Sequence, residues 1–194
     1  MTLTIIEDPA LAKIQDGLIN KKNRQAILNA VPENGILAEW GLGGTTIWFL
    51  ENMKGDQFLY SIEHNKEWAT QIAGQIGEKK LNNKHSLHLR EPEFAYQLSD
   101  TETLNTYATP LEECPAGLMN YIIPIDVFAS SPDVFLIDGV ARGACLAMVR
   151  MFAKPGSIVF LHDWNGRENW YGWAVRLYGE KVEKETENLL KLVV

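Results

Sequence analysis

The sequence predicts a single α/β domain, residues 1–194, with a mostly parallel β-sheet, and three observations support this. Short apolar runs with the length of buried strands recur along the chain. Stretches with helical spacing separate these runs, and such alternation implies right-handed crossovers with helices on both faces of the sheet. A chain of 194 residues is long enough for one such domain with a full core. We therefore expect a Rossmann-like, doubly wound sheet.

The first half of the chain is predicted to contain three strands and the helices around them. Residues 9–30 have a partial apolar stripe at helical spacing, with a break near residues 17–23, and belong to an N-terminal helical segment, residues 1–34. The predicted strands are Ile36–Trp40, Phe58–Ile62 and His85–Arg90, and the predicted helices between them are Thr45–Met53 and Lys66–Ile76. Each of these two helices therefore connects consecutive strands, as a crossover requires.

A proline-interrupted insertion, residues 91–133, separates the two halves. An irregular connection of this length inside a compact domain is usually functional or carries short elements of its own, and we expect it to be a substrate lid. The alternation then resumes up to a C-terminal antiparallel hairpin. The later strands are Val134–Asp138 and Ser157–Leu161, the later helices are Ala144–Phe152 and Asn169–Tyr178, and the hairpin is Lys181–Val194.

Composition and charge argue against several classes of partner. The formal net charge is −7 and lysines and arginines do not cluster, so a nucleic acid backbone is not the expected partner. The two cysteines, Cys114 and Cys145, form no CxxC motif, which favours a reduced, cytoplasmic setting. We expect no signal peptide in Met1–Lys13 and no membrane span, since no apolar stretch approaches the ~18 residues that a span needs.

A glycine-rich turn joins the first predicted strand to its helix, in the sequence Glu-Trp-Gly-Leu-Gly-Gly-Thr-Thr from Glu39 to Thr46. We expect its three glycines to allow positive φ and close approach of a ligand to the backbone. The following helix offers free N–H groups and the positive end of its dipole, with Thr45 and Thr46 as suitable caps. An ordinary strand-to-helix turn would need only one glycine, so the pattern favours a ligand-binding loop. The glycines are Gly41, Gly43 and Gly44.

Acids and histidines fall where the predicted strands end, which is the edge at which open α/β sheets bind ligands. Acids at the ends of buried strands cost desolvation if they are left unpaired, so a use for them is expected. Glu63 comes about 20 residues after Gly43, the position from which a carboxylate accepts both hydroxyls of a ribose. The ligand is therefore expected to contain a nucleoside. The residues at strand ends are Glu39, Glu63, His64, Asp138, His162 and Asp163.

Four stretches within residues 35–165 follow one another in a recognisable order: Glu39–Thr45, Ser61–Glu63, Phe135–Gly139 and Lys154–Gly156. They resemble the successive motifs of class I S-adenosylmethionine-dependent methyltransferases. Two further stretches, Asp138–Arg142 and Leu161–Trp164, resemble small methyltransferases associated with glycan or small-molecule modification.

The resemblance implies a set of cofactor contacts. Gly41 and Gly43 would pass beneath the methionine part of S-adenosylmethionine, and Glu39 would anchor the loop or the amino group. Glu63 would hold the ribose, with His64 and Asn65 beside the adenosine, whereas Arg90–Glu93 lacks the usual small-acidic pair that touches adenine. The predicted cofactor-binding residues are Glu39, Gly41, Gly43, Gly44, Thr45, Glu63, His64 and Asp138.

Four residues are candidates for the chemistry. His162 could be a general base, or could hydrogen-bond a neighbouring loop and only shape the cleft. Asp138 and Asp163 end neighbouring strands and could hold Mg²⁺ or a similar divalent cation, although Trp164 stands where catechol-type O-methyltransferases carry an asparagine ligand. Alternatively, Asp138 orients cofactor or substrate and Asp163 caps the next helix. Arg142 could grip an acidic or hydroxylated substrate, or form a surface salt bridge.

These observations predict an S-adenosylmethionine-dependent methyltransferase that acts on an oxygen of a small molecule or sugar. A nucleotide- or dinucleotide-binding oxidoreductase is an alternative, disfavoured because the loop lacks the G-x-G-x-x-G spacing. A non-catalytic descendant that binds the cofactor is another. The sequence is compatible with a homo-oligomer.

Overall fold

In the computed structural model, which describes residues 19–92 and 116–194, seven strands form one sheet in the order β3-β2-β1-β4-β5-β7-β6. Strands β1 to β5 are parallel, whereas β7 runs antiparallel to both β5 and β6. The predicted fold, a mostly parallel Rossmann-like sheet with a C-terminal hairpin, is confirmed. The strands are β1 Ile36–Trp40, β2 Phe58–Glu63, β3 His85–Leu89, β4 Val134–Ile137, β5 Ile158–His162, β6 Val182–Thr186 and β7 Leu189–Val193.

Five of the six described helices lie where the periodicity places them, with bounds that differ by a few residues, whereas Met119–Ile122 lies in the insertion, where no helix was predicted. Helix α5 begins at Arg142, before the predicted start at Ala144, and α6 ends at Val175, followed by a 3₁₀ turn over Arg176–Tyr178. Most of the N-terminal helical segment and part of the predicted lid, residues 1–18 and 93–115, lie outside the described residues. The helices are α1 Lys21–Ala30, α2 Gly44–Asn52, α3 Lys66–Glu78, α4 Met119–Ile122, α5 Arg142–Phe152 and α6 Glu168–Val175.

Two apolar layers cover the two faces of the sheet. Along β4, Phe135 and Ile137 face the layer that contains α5 and α6, while Val134 and Leu136 face the layer that contains α2 and α3. This alternation follows from the two-residue period of a strand, and burial on both faces explains why the strands read as nearly continuous apolar runs. Among the described residues, no helix is long and apolar enough to cross a bilayer.

Candidate functional site

A cleft of about 460 Å³ opens at the carboxyl ends of β1, β2 and β4. The chain runs outward from β1 to β2 and β3 and then returns to β4 on the other side of β1. The cleft therefore lies at the point where the strand order reverses, the usual ligand position in open α/β sheets, and its volume is in the range of small-molecule sites. Its walls are Gly41, Leu42, Glu63, His64, Asn65, Trp68, Asp138, Gly139 and Val140.

The turn after β1 packs backbone to backbone against the turn after β4. Gly41 has φ of +101°, and a Cβ added there would lie 2.8 Å from the Gly139 nitrogen. The expectation of positive φ is wrong for Gly43, whose φ of −176° is extended, and for Gly44, which is the first residue of α2. One left-handed glycine is enough because the reversal of the chain occurs at Gly41, and the helix has begun by Gly44.

The cap of α2 is Gly43 rather than a threonine. Thr46 Oγ1 accepts a hydrogen bond from the Gly43 N–H at 2.9 Å, so this hydroxyl closes the helix start from inside the first turn. Thr45 Oγ1 accepts from the Ile19 N–H at 3.1 Å, which ties the segment before α1 to the loop. The prediction of a threonine cap is therefore wrong, because α2 starts one residue earlier than its apolar pattern suggested.

Glu39 lies beneath the glycine turn and is fully buried. Its Oε1 accepts hydrogen bonds from Thr46 Oγ1 and Ser61 Oγ, each at 2.6 Å, and Ser61 Oγ is 2.8 Å from His85 Nε2. Burial, which outweighs these two hydrogen bonds, raises the pKa of Glu39 to about 8. These contacts agree with a role in anchoring the loop, whereas Glu39 is not among the residues that line the cleft.

Replacing Glu39 by glutamine is expected to change how stability depends on pH. Because the pKa of Glu39 is raised from 4.5 to about 8, the unfolded chain ionises at lower pH than the folded protein. The wild type therefore loses stability as pH rises through this window. Between pH 5 and 8 the free energy of unfolding of Glu39→Gln should rise relative to wild type, by up to about 1.4 kcal/mol per pH unit.

Urea unfolding of both proteins at several pH values measures the difference in their free energies of unfolding. The slope of this difference against pH is the quantity of interest, because a destabilisation by glutamine that does not depend on pH leaves the slope unchanged. Glu78→Gln, at an exposed position in α3, is the matched control and should show no such slope. A constant difference between Glu39→Gln and wild type would contradict the raised pKa.

Glu63 connects the two loops that border the cleft. Its Oε2 accepts from the Leu42 N–H at 3.1 Å, and its Oε1 accepts from the N–H groups of His64 and Asn65 at 2.8 Å. Burial alone would raise the pKa of Glu63, but the hydrogen bonds from His64, Asn65 and Leu42 outweigh it and hold the pKa below its ordinary value. The cleft therefore contains an ionised carboxylate on which three N–H groups occupy three of about four lone-pair sites, leaving one on Oε2.

Two aromatic residues of the site were not identified from the sequence. Trp68 lines the cleft and donates from Nε1 to the Leu42 carbonyl, although its spacing grouped it with the buried face of α3. Tyr121 is fully buried; its ring lies edge-on to His64, and its hydroxyl packs against Gly139. The Tyr121 carbonyl also accepts from Trp40 Nε1 at 2.8 Å. Tyr121 belongs to the insertion, which has no periodicity to reveal it.

The ends of β4 and β5 bring three predicted residues together. His162 Nδ1 is 2.8 Å from Asp138 Oδ1 and 3.5 Å from Asp163 Oδ1. One ligand atom from each residue lies within 4.8 Å of the others. When Nδ1–H donates to Asp138, the lone pair of the neutral imidazole is at Nε2, the form that can accept a proton. The strand ends thus carry a carboxylate–imidazole pair, with Asp138 in the wall of the cleft.

Arg142, the first residue of α5, lies against this cluster with a side chain that is only 11% exposed. Its Nε donates to the Gly139 carbonyl at 2.8 Å, Nη1 donates to the His162 carbonyl at 2.8 Å and to Asp163 Oδ2 at 3.1 Å, and Nη2 donates to the Asp138 carbonyl at 2.9 Å. Nη2 is also 3.4 Å from Asp138 Oδ1. Of the five N–H groups of the guanidinium, four make these hydrogen bonds, and the contact with Asp138 Oδ1 is an ion pair. These contacts give no support to the prediction that Arg142 binds a substrate. Because the Arg142 side chain is largely buried, its ion pairs are not surface salt bridges.

Comparisons with known proteins extend the assignment of the fold. No protein-family model matches the chain, and neither does any curated protein sequence. A methyltransferase-like protein from Silicibacter pomeroyi has a similar structure, with a TM-score of 0.66 and 16% identity over 91% of this chain and 86% of that one.

Two solved structures with bound ligands are also similar. An O-methyltransferase from Bacillus cereus, in complex with S-adenosylhomocysteine, has a TM-score of 0.60 and 13% identity over 99% of this chain and 94% of that one. An O-methyltransferase from Streptomyces achromogenes, in complex with S-adenosylmethionine, has a TM-score of 0.57 and 15% identity over 99% and 92%. The chain therefore has the fold found in S-adenosylmethionine-dependent methyltransferases, most of the similar structures being O-methyltransferases.

Proposed function

We propose that this chain is an S-adenosylmethionine-dependent methyltransferase that methylates a hydroxyl oxygen of a small molecule or sugar. The observation that carries the proposal is that one cleft is bordered both by an ionised carboxylate, Glu63, and by Asp138, which is paired with His162. The first group suits a ribose and the second suits a hydroxyl that must lose its proton. The ligands of the similar O-methyltransferases support the choice of cofactor.

The cofactor half of the cleft would be formed by the loops after β1 and β2. Glu63 Oε2 would accept one ribose hydroxyl through its remaining lone pair, and the backbone at Gly41 would pass under the methionine part. His64 and Trp68 would lie beside the adenosine, since both line the cleft next to Glu63. Glu39 would act on the cofactor only through the loop that it holds, via Thr46.

S-adenosylmethionine supplies a sulfonium-bound methyl group, whose transfer is an in-line displacement that depends mainly on alignment. The bond from the acceptor oxygen to the methyl carbon forms as the carbon–sulfur bond breaks, and S-adenosylhomocysteine leaves. The acceptor proton would move to His162 Nε2, while Asp138 keeps Nδ1 protonated and stabilises the imidazolium.

Calorimetry with S-adenosylmethionine and S-adenosylhomocysteine tests the first half of the proposal, and micromolar binding is expected. Incubation with methyl-labelled S-adenosylmethionine and a panel of phenols, sugars and amines tests the second, and label is expected on hydroxyl acceptors. Failure to bind either ligand would overturn the proposal. Binding without transfer to any acceptor would indicate a non-catalytic descendant, and transfer to amines alone would overturn the choice of oxygen.

A further inference from the structure

We propose that Arg142 is a built-in cation that takes the place of the divalent metal predicted at Asp138 and Asp163, so that the cluster excludes metal ions. Its catalytic consequence, methyl transfer that needs no metal, rests on the proposed function, whereas the exclusion of metal does not. Arg142 is then a positioning residue, since it acts through the two acids and the loops that carry them.

The oxygen atoms around the guanidinium resemble the ligand set that a hard cation prefers. Three main-chain carbonyls and two carboxylates surround it, drawn from the turns after β4 and β5. Four of these oxygens accept N–H···O hydrogen bonds of 2.8 to 3.1 Å, and Asp138 Oδ1 lies 3.4 Å from Nη2 as an ion pair. Because the same Asp138 and Asp163 would have to ligate a metal, the ion and the guanidinium compete for one position.

The charges of the cluster are already balanced without a metal. Asp138 and Asp163 supply two negative charges, Arg142 pairs with both, and Arg167 Nη1 lies 3.8 Å from Asp163 Oδ2. A guanidinium cannot lose its proton in a protein, so Arg142 cannot become neutral to admit an ion. A divalent cation would therefore meet a fixed like charge in a partly buried setting, where repulsion is poorly screened.

The arrangement also explains how the carboxylate–imidazole pair is held. Arg142 reaches the Asp138 carboxylate and the carbonyls of Asp138 and His162, so a single side chain fixes both partners of that pair. A metal at the same place would draw on Asp138 and His162 as ligands and remove the lone pair needed for proton transfer. The geometry therefore favours a base over a ligand at His162.

Titration with Mn²⁺, followed by the electron paramagnetic resonance of the free ion, tests the proposal on the full chain. Wild type should bind no Mn²⁺ at about 1 mM, the weak end of carboxylate sites. Arg142→Met keeps the length and apolar stem but removes the charge, and it should bind Mn²⁺ at least about tenfold more tightly, because a fixed positive charge a few ångströms from the ion no longer repels it. Arg142→Met/Asp163→Asn should lose that gain. Arg150→Met, on the same helix, is the matched control and should behave as wild type.

Mn²⁺ binding by wild type that Asp138→Asn abolishes would overturn the proposal, and so would an Arg142→Met protein that folds but gains no affinity. If Arg142→Met does not fold, the wild-type titration and Arg142→Lys, which should still exclude Mn²⁺, decide the matter. Wild-type methyl transfer should be unchanged in excess chelator. Absence of all transfer would count against the proposed function, while the Mn²⁺ titrations would still test the role of Arg142.

Discussion

His162→Gln is expected to lower the rate of methyl transfer by about 10²- to 10⁴-fold, the usual contribution of a positioned acid–base group. Glutamine has a similar length and can form hydrogen bonds, but its side-chain amide cannot act as a base that takes the proton from the acceptor hydroxyl. The affinity for S-adenosylmethionine should stay within about twofold of wild type, since His162 is not among the residues that line the cofactor cleft. Single-turnover transfer and calorimetry measure the two quantities separately.

The matched control is His88→Gln, at a half-buried histidine on β3 near the opposite side of the sheet. It should leave the transfer rate unchanged. At high pH the acceptor hydroxyls ionise without a general base. If the transfer rate of His162→Gln then returned to that of wild type, this would further support the role of His162 as the base. Equal rates in His162→Gln and wild type would show that His162 only shapes the site.

Glu63→Ala is expected to weaken binding of S-adenosylmethionine by about 10- to 100-fold, because a hydrogen bond to a charged group contributes ~1.5–3 kcal/mol. The substitution also releases the Leu42, His64 and Asn65 N–H groups that now converge on this carboxylate. Both effects loosen the cofactor half of the cleft. Calorimetric titration gives the affinity directly.

A ligand that lacks one ribose hydroxyl separates these two effects. Wild type should bind adenosine more tightly than 2′-deoxyadenosine, and Glu63→Ala should bind them equally. Discrimination that survives in Glu63→Ala would mean that the ribose is held elsewhere. Glu67→Ala, at an exposed position in the first turn of α3, should change neither affinity.

The edge of the sheet at which the site lies could be predicted from the sequence, because this prediction requires only the positions at which the strands end. In a parallel sheet the carboxyl ends of neighbouring strands share one edge, so Glu63 and Asp138 were expected there before any side chain was placed. Their position in the wall of the cleft agrees with that expectation. The prediction required no knowledge of packing, only the order of apolar runs.

The direction of each side chain could not be predicted in the same way. Glu63 is the last residue of β2, but Glu39 is the next-to-last residue of β1, and it points into the core and bonds to Ser61, its register partner on β2. Arg142 is bound largely by main-chain carbonyls, whose positions depend on the whole fold and leave no mark in the sequence. Trp68 has core-like spacing although its indole reaches the cleft.

The contacts of Tyr121 connect α4, in the insertion, to two residues that line the cleft, His64 and Gly139. Its carbonyl holds Trp40, its ring meets His64 and its hydroxyl abuts Gly139. Thermodynamic linkage makes any such coupling reciprocal. If a second molecule binds one placement of α4 and changes the dissociation constant of the cofactor by some factor, the cofactor changes the dissociation constant of that molecule by the same factor. Under the proposed function, an acceptor whose binding shifts α4 is expected to bind with different affinities in the presence and absence of S-adenosylhomocysteine.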